Sequence, residues 1–357
     1  MAKLIAMAFV TKIKPKVINN PEYKFETYLF WKSGKQGGMR KKGFFKHSYI
    51  KEGKTWFICD TDSQKSRPAP PKIQFEIENY IKESNWRFER LPLVSCVMAS
   101  KNSEEGIKKA IESVKNQTYP NIEIIVVDGE SEDKTIEILE SSDVDYWISE
   151  KDNGIYDALN KGVMLSCGEW IFFLGSDDFI LPYAIEKYLR LILEKEKITN
   201  QKIDFASSKM MIVWEAKIWK FKDKIEEIYG KEWKWKEFKR WMTVAHPGSL
   251  HRRDLFKEIG LFDTSYKIAG DYELLLRKKS ELRTAFLDDI TVIMSGEGIS
   301  RRKPLVGLTE AEKAKIKTAG INPKIAKIEK YIMFGRFLLG RVKRIFQKQI
   351  KKISFAR

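Results

Sequence analysis

Cysteine, histidine and long apolar runs are scarce in this chain of 357 residues. Its three cysteines, Cys59, Cys96 and Cys167, are far apart, odd in number and match no metal-ligand spacing. That argues against a disulfide framework and a structural zinc site, and leaves reduced thiols in a cytosolic setting as the expectation. Two of the three histidines, His246 and His251, stand five apart, which fits no helical metal pair, so packing or hydrogen-bonding roles are expected of them. No apolar run reaches the roughly 18 residues that a spanning helix needs. The opening MAKLIAMAFVTKIK runs straight into Lys12 and Lys14 without a small-residue cleavage site. It reads as a strand and not as a signal peptide.

What is present is the composition of an ordinary globular protein: 43% hydrophobic, 12% aromatic and 32% charged. A sizeable core can form, and wholesale disorder is excluded. The length suits one large domain with an appendage, or two modest ones. A net charge of +17 first suggests a nucleic acid or an anionic membrane as partner. Its distribution changes that view. Residues 1–92 hold 19 Lys/Arg against 9 Asp/Glu, a balance of +10; residues 321–357 hold 11 against 1, again +10. The body between them, with 36 against 39, stands at −3. A protein gripping nucleic acid through its main domain carries its excess there.

The PAPP stretch at Pro68–Pro71 is the clearest linker signal, because consecutive prolines exclude helix and central strand alike. The basic, aromatic segment before it has GKQGGMRKKG at its middle, read as a loop, and no fold is assigned to it. A helix, IQFEIENYIKESNW, follows. From Leu93 the pattern alternates: LVSCVMAS as strand, EEGIKKAIESVKNQ as helix, IEIIVVD as a strand buried on both faces. SEDKTIEILESS is a helix with Ser131 or Asp133 as its cap, YWISE a strand, GIYDALNKGVMLS a helix, and EWIFFLGSDD a strand ending in carboxylates. This order implies an α/β fold, a doubly wound, mostly parallel sheet covered by helices. Ligands of such sheets bind beyond the carboxyl ends of the strands. Ser100 and Asn102, Asp128, and Asp177 with Asp178 all fall at those ends.

Asp128, followed by Gly129, could accept an N–H from a nucleobase or an O–H from a ribose; a turn or helix-cap role is equally consistent with it. Two adjacent acids, Asp177 and Asp178, repel unless a cation lies beside them. A hard divalent ion, bound through one or two carboxylates and substrate phosphates, fits. Asp271 precedes an apolar helical run, where an acid also complements the helix dipole. A nucleotidyltransferase would need a Gly-rich phosphate loop after the first strand, and ASKNSEEG is not one.

VSCVMASKN, IKKAIESVKNQTYPNIEIIVVDGESEDKT, ISEKDNGIYDALNKGVMLSCGEWIFFLGSDD and HPGSLHRRDLFKEIGLFDTSYKIAGDYELLLR occur in an order and spacing that make a pattern. From Leu93 to about Arg302 the chain resembles the family 2 glycosyltransferases of GT-A (Rossmann-like) fold, in the bacterial cell-surface polysaccharide branch. The resemblance implies that Asp128 contacts the nucleobase, usually uracil, with the backbone around Ala99 and Ser100 and with Asn102 framing it. It implies that Asp177, the last position of the D-x-D element, holds a metal (Mn²⁺ or Mg²⁺) bridging the donor diphosphate, with Asp178 beside it. Asp271 takes the place of the catalytic base in an inverting transfer. The departures are Ala99-Ser100-Lys101 where Pro-Thr-Tyr is frequent, Gly175 for the first acid of D-x-D, and Gly270 where an acidic neighbour is frequent. Lys161 stands in for an arginine near Leu159 that touches the diphosphate in many relatives.

The expected organisation is therefore a basic N-terminal region over 1–91, the glycosyltransferase domain over 92–303, and a basic helical tail over 304–357. SGEGISRRK reads as a flexible loop whose Arg301 and Arg302 either close over the diphosphate or are simply solvated, the second being favoured. Trp214, Trp219, Trp233, Trp235 and Trp241 either stack on an acceptor's sugar or anchor an amphipathic helical insertion. The tail, KIAKIEKYIMFGRFLLGRVKRIFQKQIKKISFAR, suits an interfacial helix on anionic lipid, with an oligomerising or domain-covering helix as the alternative. The function expected is transfer from a UDP-sugar to a glycan or lipid-linked acceptor, by an enzyme peripheral on the cytoplasmic face of the membrane. The alternative is a non-catalytic nucleic-acid or anionic-surface binding protein on the same scaffold; Asp128, Asp177 and Asp271 together favour the enzyme, and nucleic acid is not the expected partner.

Overall fold

The structure, a computed structural model, describes residues 8–62, 64–218, 221–296 and 298–355, with the backbone alone for 214–218, 221–226 and 341–355. The N-terminal region, to which the sequence assigned no fold, is folded. Lys35–Gly37 (β1) lies antiparallel to the edge of the main sheet, and Met39–Lys42 form a 3₁₀ turn, so GKQGGMRKKG is not simply a loop. Ser48–Glu52 (β2), Thr55–Cys59 (β3), Lys65–Pro68 (β4) and Arg90–Leu91 (β5) make a separate antiparallel sheet in the order β4-β3-β2-β5, with the helix Pro71–Ser84 (α1) between β4 and β5. PAPP is therefore no linker. Pro68 closes an exposed edge strand, where a missing N–H costs nothing, and Pro71 opens α1, where its fixed φ suits the first turn. Of the opening segment read as a strand, residues 1–7 lie outside the described residues, and Thr11 forms only an isolated bridge to Phe45.

The alternating block forms the centre. Val94–Ser100 (β6), Ile107–Lys115 (α2), Ile122–Asp128 (β7), Thr135–Ser141 (α3), Tyr146–Ser149 (β8), Ile155–Leu165 (α4) and Trp170–Phe173 (β9) follow in chain order. The four strands are parallel, in the spatial order β8-β7-β6-β9. All seven residues of β7 are buried, which is why its sequence does not alternate. In α2 the buried positions Ile107, Ala110, Ile111 and Val114 make one stripe against the sheet.

Beyond β9 the sheet becomes mixed. Phe179–Ile180 (β10), the helix Ala184–Thr199 (α5), Phe205–Ile218 (β11), Phe221–Tyr229 (β12), the short helix Trp235–Phe238 (α6), Leu250–Arg252 (β13), Arg253–Ile259 (α7), Gly270–Leu276 (α8) and Thr284–Ser295 (β14) complete it. The sheet order is β1-β8-β7-β6-β9-β13-β11-β14-β10, with β12 paired to β11. The first part of the tryptophan segment is thus a long hairpin, paired from Met210–Tyr229 to Ile218–Phe221, and Trp235 beyond it opens the short helix α6. Trp219 and the Trp214 side chain lie outside the described residues. SGEGISRRK is not a loop throughout, since Ile299–Arg302 (α9) is helical. Pro304–Lys317 (α10) and Pro323–Phe355 (α11) end the fold.

The N-terminal region is fastened to the body by buried charge. Arg40, 3% exposed, donates to Glu123 of β7 at 2.5 Å and to the Leu165 carbonyl at 2.8 Å. Burial opposes charge on Glu123, but Arg40, Ser95 and the Cys167 N–H outweigh it and hold the carboxyl below its ordinary range. His47 shares its Nε2 between Thr11 Oγ1 and the Ile13 carbonyl. Burial, the largest cause, pushes its pKa from 6.5 down to about 4. The unfolded chain therefore binds a proton that the folded chain refuses, and the stability His47 contributes is full above pH 6.5 and lost as pH falls toward 4. Between pH 7 and pH 5 that loss is about 2 kcal/mol. His47→Gln should narrow the gap between unfolding midpoints measured by calorimetry at those two pH values; an unaltered gap would assign the acid sensitivity elsewhere.

Candidate active site

The carboxyl ends of β6, β7 and β9 converge on one edge of the sheet. Register pairs Ser100 with Asp128 and Asp128 with Ser149. Asp128 is fully buried, and its carboxylate accepts the Ser131 N–H at 2.9 Å, the Ser131 hydroxyl at 2.5 Å and the Ser149 hydroxyl at 2.7 Å. Ser131 thus braces Asp128, while Asp133 accepts the N–H of Thr135 at the start of α3. Ser100, 5% exposed, has a buried hydroxyl without a hydrogen-bond partner. Asn102, at φ +49°, donates its N–H to Ser131 Oγ and accepts the Glu132 N–H, so it locks the two loops together. Ala99 is half-buried between two core clusters.

After β9 the loop Gly175–Asp178 separates its two acids. Asp177 is exposed. Asp178 is buried and accepts the N–H groups of Gly175 at 3.3 Å and Ser295 at 3.2 Å. Burial first, then the neighbouring Asp177, pushes its pKa up to about 7. A Cβ on Gly175 would stand 2.7 Å from Asp178 Oδ2, so any side chain there would displace the Asp178 carboxylate. Ser176 and Ser103 share a hydrogen bond of 2.8 Å, which ties this loop to the one after β6. Among the described residues no three His, Cys, Asp or Glu side chains gather into a metal cage. Asp177 offers one hard oxygen donor, which suits an ion whose remaining ligands are phosphate and water.

Asp271 begins α8 partly exposed. Tyr156 accepts its N–H at 3.3 Å, stands 3.4 Å from its Oδ1, and donates to the Ile268 carbonyl at 2.7 Å. His246 Nδ1 lies 3.9 Å from Asp271 Oδ2, and its ring stacks on Phe173, the last residue of β9. Burial lowers the His246 pKa against the opposing pull of Asp271, so the ring is neutral. His251 is wholly buried among Phe173, Phe205 and Phe256. Gly270 lies under the Tyr156 ring, with 2.7 Å from a would-be Cβ to Cε2. Asp271 opens on a cavity of about 390 Å³ between β11, β14, α10 and α11.

Lys161 does not stand open toward a ligand: it is buried, 2.6 Å from Glu150 and 3.7 Å from Asp157. Arg301 lines the cavity beside Asp271 and lies 3.9 Å from Glu227, whereas Arg302 is exposed. Of the tryptophans, Trp233 packs on Trp235 and on Phe238, and Trp241 lines the cavity. Sequence reasoning missed Tyr156 and Glu310. Glu310 on α10 accepts the N–H groups of Lys267, Ile268 and Ala269 at 2.8–2.9 Å, immediately before Asp271. Nothing local in TEAEK marks that role; it exists only once α10 folds back.

The family model for glycosyl transferase family 2 matches residues 95–260. An uncharacterized glycosyltransferase of Rickettsia typhi is 33% identical over 186 residues, 51% of this chain and 57% of that protein. One of Mycobacterium tuberculosis is 30% identical over 196 residues, 52% of this chain and 68% of that protein. The chain therefore spans little more than half of the first relative's length. It belongs to glycosyl transferase family 2. Its fold is mixed α/β, with a central block of parallel strands flanked by helices. Among solved structures, Staphylococcus aureus TarS in complex with UDP-GlcNAc is 18% identical with a TM-score of 0.48, over 67% of this chain and 70% of that one.

Glu310→Ala should leave three N–H groups, that of buried Ala269 among them, without their carboxylate acceptor, lowering stability by about 1–2 kcal/mol in thermal unfolding. An unchanged midpoint would mean that the loop before Asp271 is held by other contacts.

Proposed function

We propose that the chain transfers a sugar from a nucleotide-sugar donor, a UDP-sugar, to a hydroxyl of a glycan or lipid-linked acceptor in cell-surface polysaccharide synthesis, with inversion at the anomeric carbon. The observation that carries this reading is Asp271 held at the head of a cavity, its Oδ1 accepting the Tyr272 N–H at 2.8 Å, with Tyr156 and His246 beside it. In this reading the unpartnered Ser100 hydroxyl, the Ala99 backbone and Asn102 frame the base. Asp128 accepts the base N–H in exchange for the Ser131 hydroxyl.

Asp177 is the residue that would hold Mg²⁺ or Mn²⁺, and Asp178, gripped by two backbone N–H groups, shapes the loop that presents it. The ion, when bound, supplies positive charge for a departing diphosphate. Lys161 acts indirectly, by neutralising Glu150 beside β8. Asp271 takes the proton of the acceptor hydroxyl; a single base suffices where no covalent intermediate forms.

The tail supports a place at the inner face of the cytoplasmic membrane. Ala326 and Glu329 of α11 are buried, while Ile325, Ile328, Ile332 and Leu339 are 44–71% exposed on the other side. An apolar stripe on a helix rich in Lys and Arg suits anionic lipid. No helix of the described residues is long and apolar enough to cross a membrane.

A panel of nucleotide sugars with Mn²⁺ or Mg²⁺, read by release of the nucleoside diphosphate, should find a UDP-sugar substrate. Asp271→Asn should lower transfer by about 10²–10⁴-fold, the usual worth of a general base, with Asp177→Ala also impaired. Turnover of no donor, or full activity in both variants, would overturn the reading. Independently, Ile328→Glu with Leu339→Glu should abolish flotation with anionic vesicles at unchanged thermal stability; retained flotation would sink the membrane assignment.

A further inference from the structure

A second cavity, of about 420 Å³, lies between the end of α3 and the start of β8, at the opposite edge of the sheet from Asp128. Lys35, Gly37, Lys41, Lys42, Glu140 and Trp147 are among its walls, so three lysines stand against one carboxylate. The three are exposed and enter no ion pair among the described residues; Lys41 instead lies 5.5 Å from the centre of the Phe30 ring. The neighbouring polar side chains are already engaged. Gln36 bonds to Trp31, Ser33 and Tyr146, and Ser142 donates to the Ile138 carbonyl.

Trp147 is the unusual wall. It is 3% exposed, yet its indole N–H donates to no described residue. A buried donor without an acceptor is costly, and native folds leave few of them. Gly37 keeps that nitrogen uncovered. A Cβ at Gly37 would stand 2.5 Å from Trp147 Cε2, with Nε1 nearer still, so any side chain there would close over the N–H. A lysine on an edge strand, as Lys35 is on β1, also discourages pairing with another chain, but that role does not account for the indole.

We infer that this cavity is a binding site for a phosphate ester, separate from the positions around Asp128 and Asp271. The donors that converge on it are three ammonium groups and one indole N–H. A phosphate ester brings about −1.5 to −2 charge at neutral pH and three acceptor oxygens. That matches the surplus of three lysines over one glutamate, and it fills the donors better than a carboxylate, with one charge and two oxygens. Lys35, Gly37, Lys41 and Lys42 lie outside residues 95–260, so the site is built by the N-terminal region on the matched domain's edge and not by that domain alone.

The test uses the full chain with ¹⁵N in its ten tryptophan indoles, free of divalent metal and sugar donor. It is titrated with glycerol 3-phosphate, with dihexanoyl phosphatidic acid, and with sodium chloride at matched ionic strength. The Trp147 indole signal, assigned by its loss in Trp147→Phe, should move downfield as the N–H gains an acceptor. Those of Trp56 and Trp86, already bonded to Glu78 and to the Arg90 carbonyl, should stay in place. Lys41→Gln with Lys42→Gln, changes at exposed positions, should weaken the response at least about tenfold through loss of charge-assisted contacts. Lys197→Gln with Lys202→Gln, equal in charge but placed around the end of α5, should leave it unchanged. A shift with glycerol 3-phosphate supports the site with a soluble ester as ligand; a shift with phosphatidic acid alone supports it with a lipid headgroup. A Trp147 signal silent to both, an equal shift with chloride, or equal weakening by the two double substitutions would overturn the inference.

Discussion

The Arg40–Glu123 pair is the constraint on which the rest of the architecture depends. Both groups are almost wholly buried, and Glu123 also accepts from Ser95 of β6 and from the Cys167 N–H just before β9. One carboxylate therefore fastens the N-terminal region to three adjoining pieces of the central sheet. Its place in the register matters for function. Ser95 pairs with Glu123, and five residues further along the same two strands Ser100 pairs with Asp128. Pinning the near end of β6 and β7 thus fixes which residues meet at the far end. Losing one partner would strand a charge in the core, at a cost of about 3–5 kcal/mol, and would loosen that register.

At the far edge two glycines let neighbouring side chains approach. Asp178 occupies the space beside Gly175, bound to the Gly175 and Ser295 N–H groups. The Tyr156 ring fills the space over Gly270 while its hydroxyl accepts the Asp271 N–H. Each glycine thus lets a second side chain come close enough to build the loop. The position before Asp271 is further held from outside the matched segment, by Glu310.

The central block was legible because burial on both faces of β7 and the stripe in α2 leave plain periodicities. The placing of Asp128, Asp177 and Asp178 at one edge of the sheet was legible through their position after those strands. Elsewhere the local signal pointed the wrong way. Pro68 and Pro71 look like a linker until the edge strand and the helix start that accept them are seen. The segment from Phe205 to Tyr229 mixes Lys, Glu and Trp in a way that suits an amphipathic helix, and its strand identity comes from pairing β11 with both β14 and β12. The partners of Asp271 were hidden for a simpler reason. Tyr156 lies 115 residues away along the chain, and only the fold brings it there.

The charge distribution acquires a physical meaning from these contacts. Most of the basic tail belongs to α11, and that helix is not an appendage: its Glu329 is buried against Arg240 and Lys315, and its Met333 and Phe337 close the cavity at Asp271. A helix that walls the site on one side and exposes an apolar stripe on the other couples the two environments. Water can solvate the Lys and Arg at its flanks but gains nothing from the stripe, so an interface that accepts both is favoured over bulk solvent. The positive excess at this end of the chain is thereby tied to the body through Glu329, so that the charge and the cavity wall belong to one rigid helix.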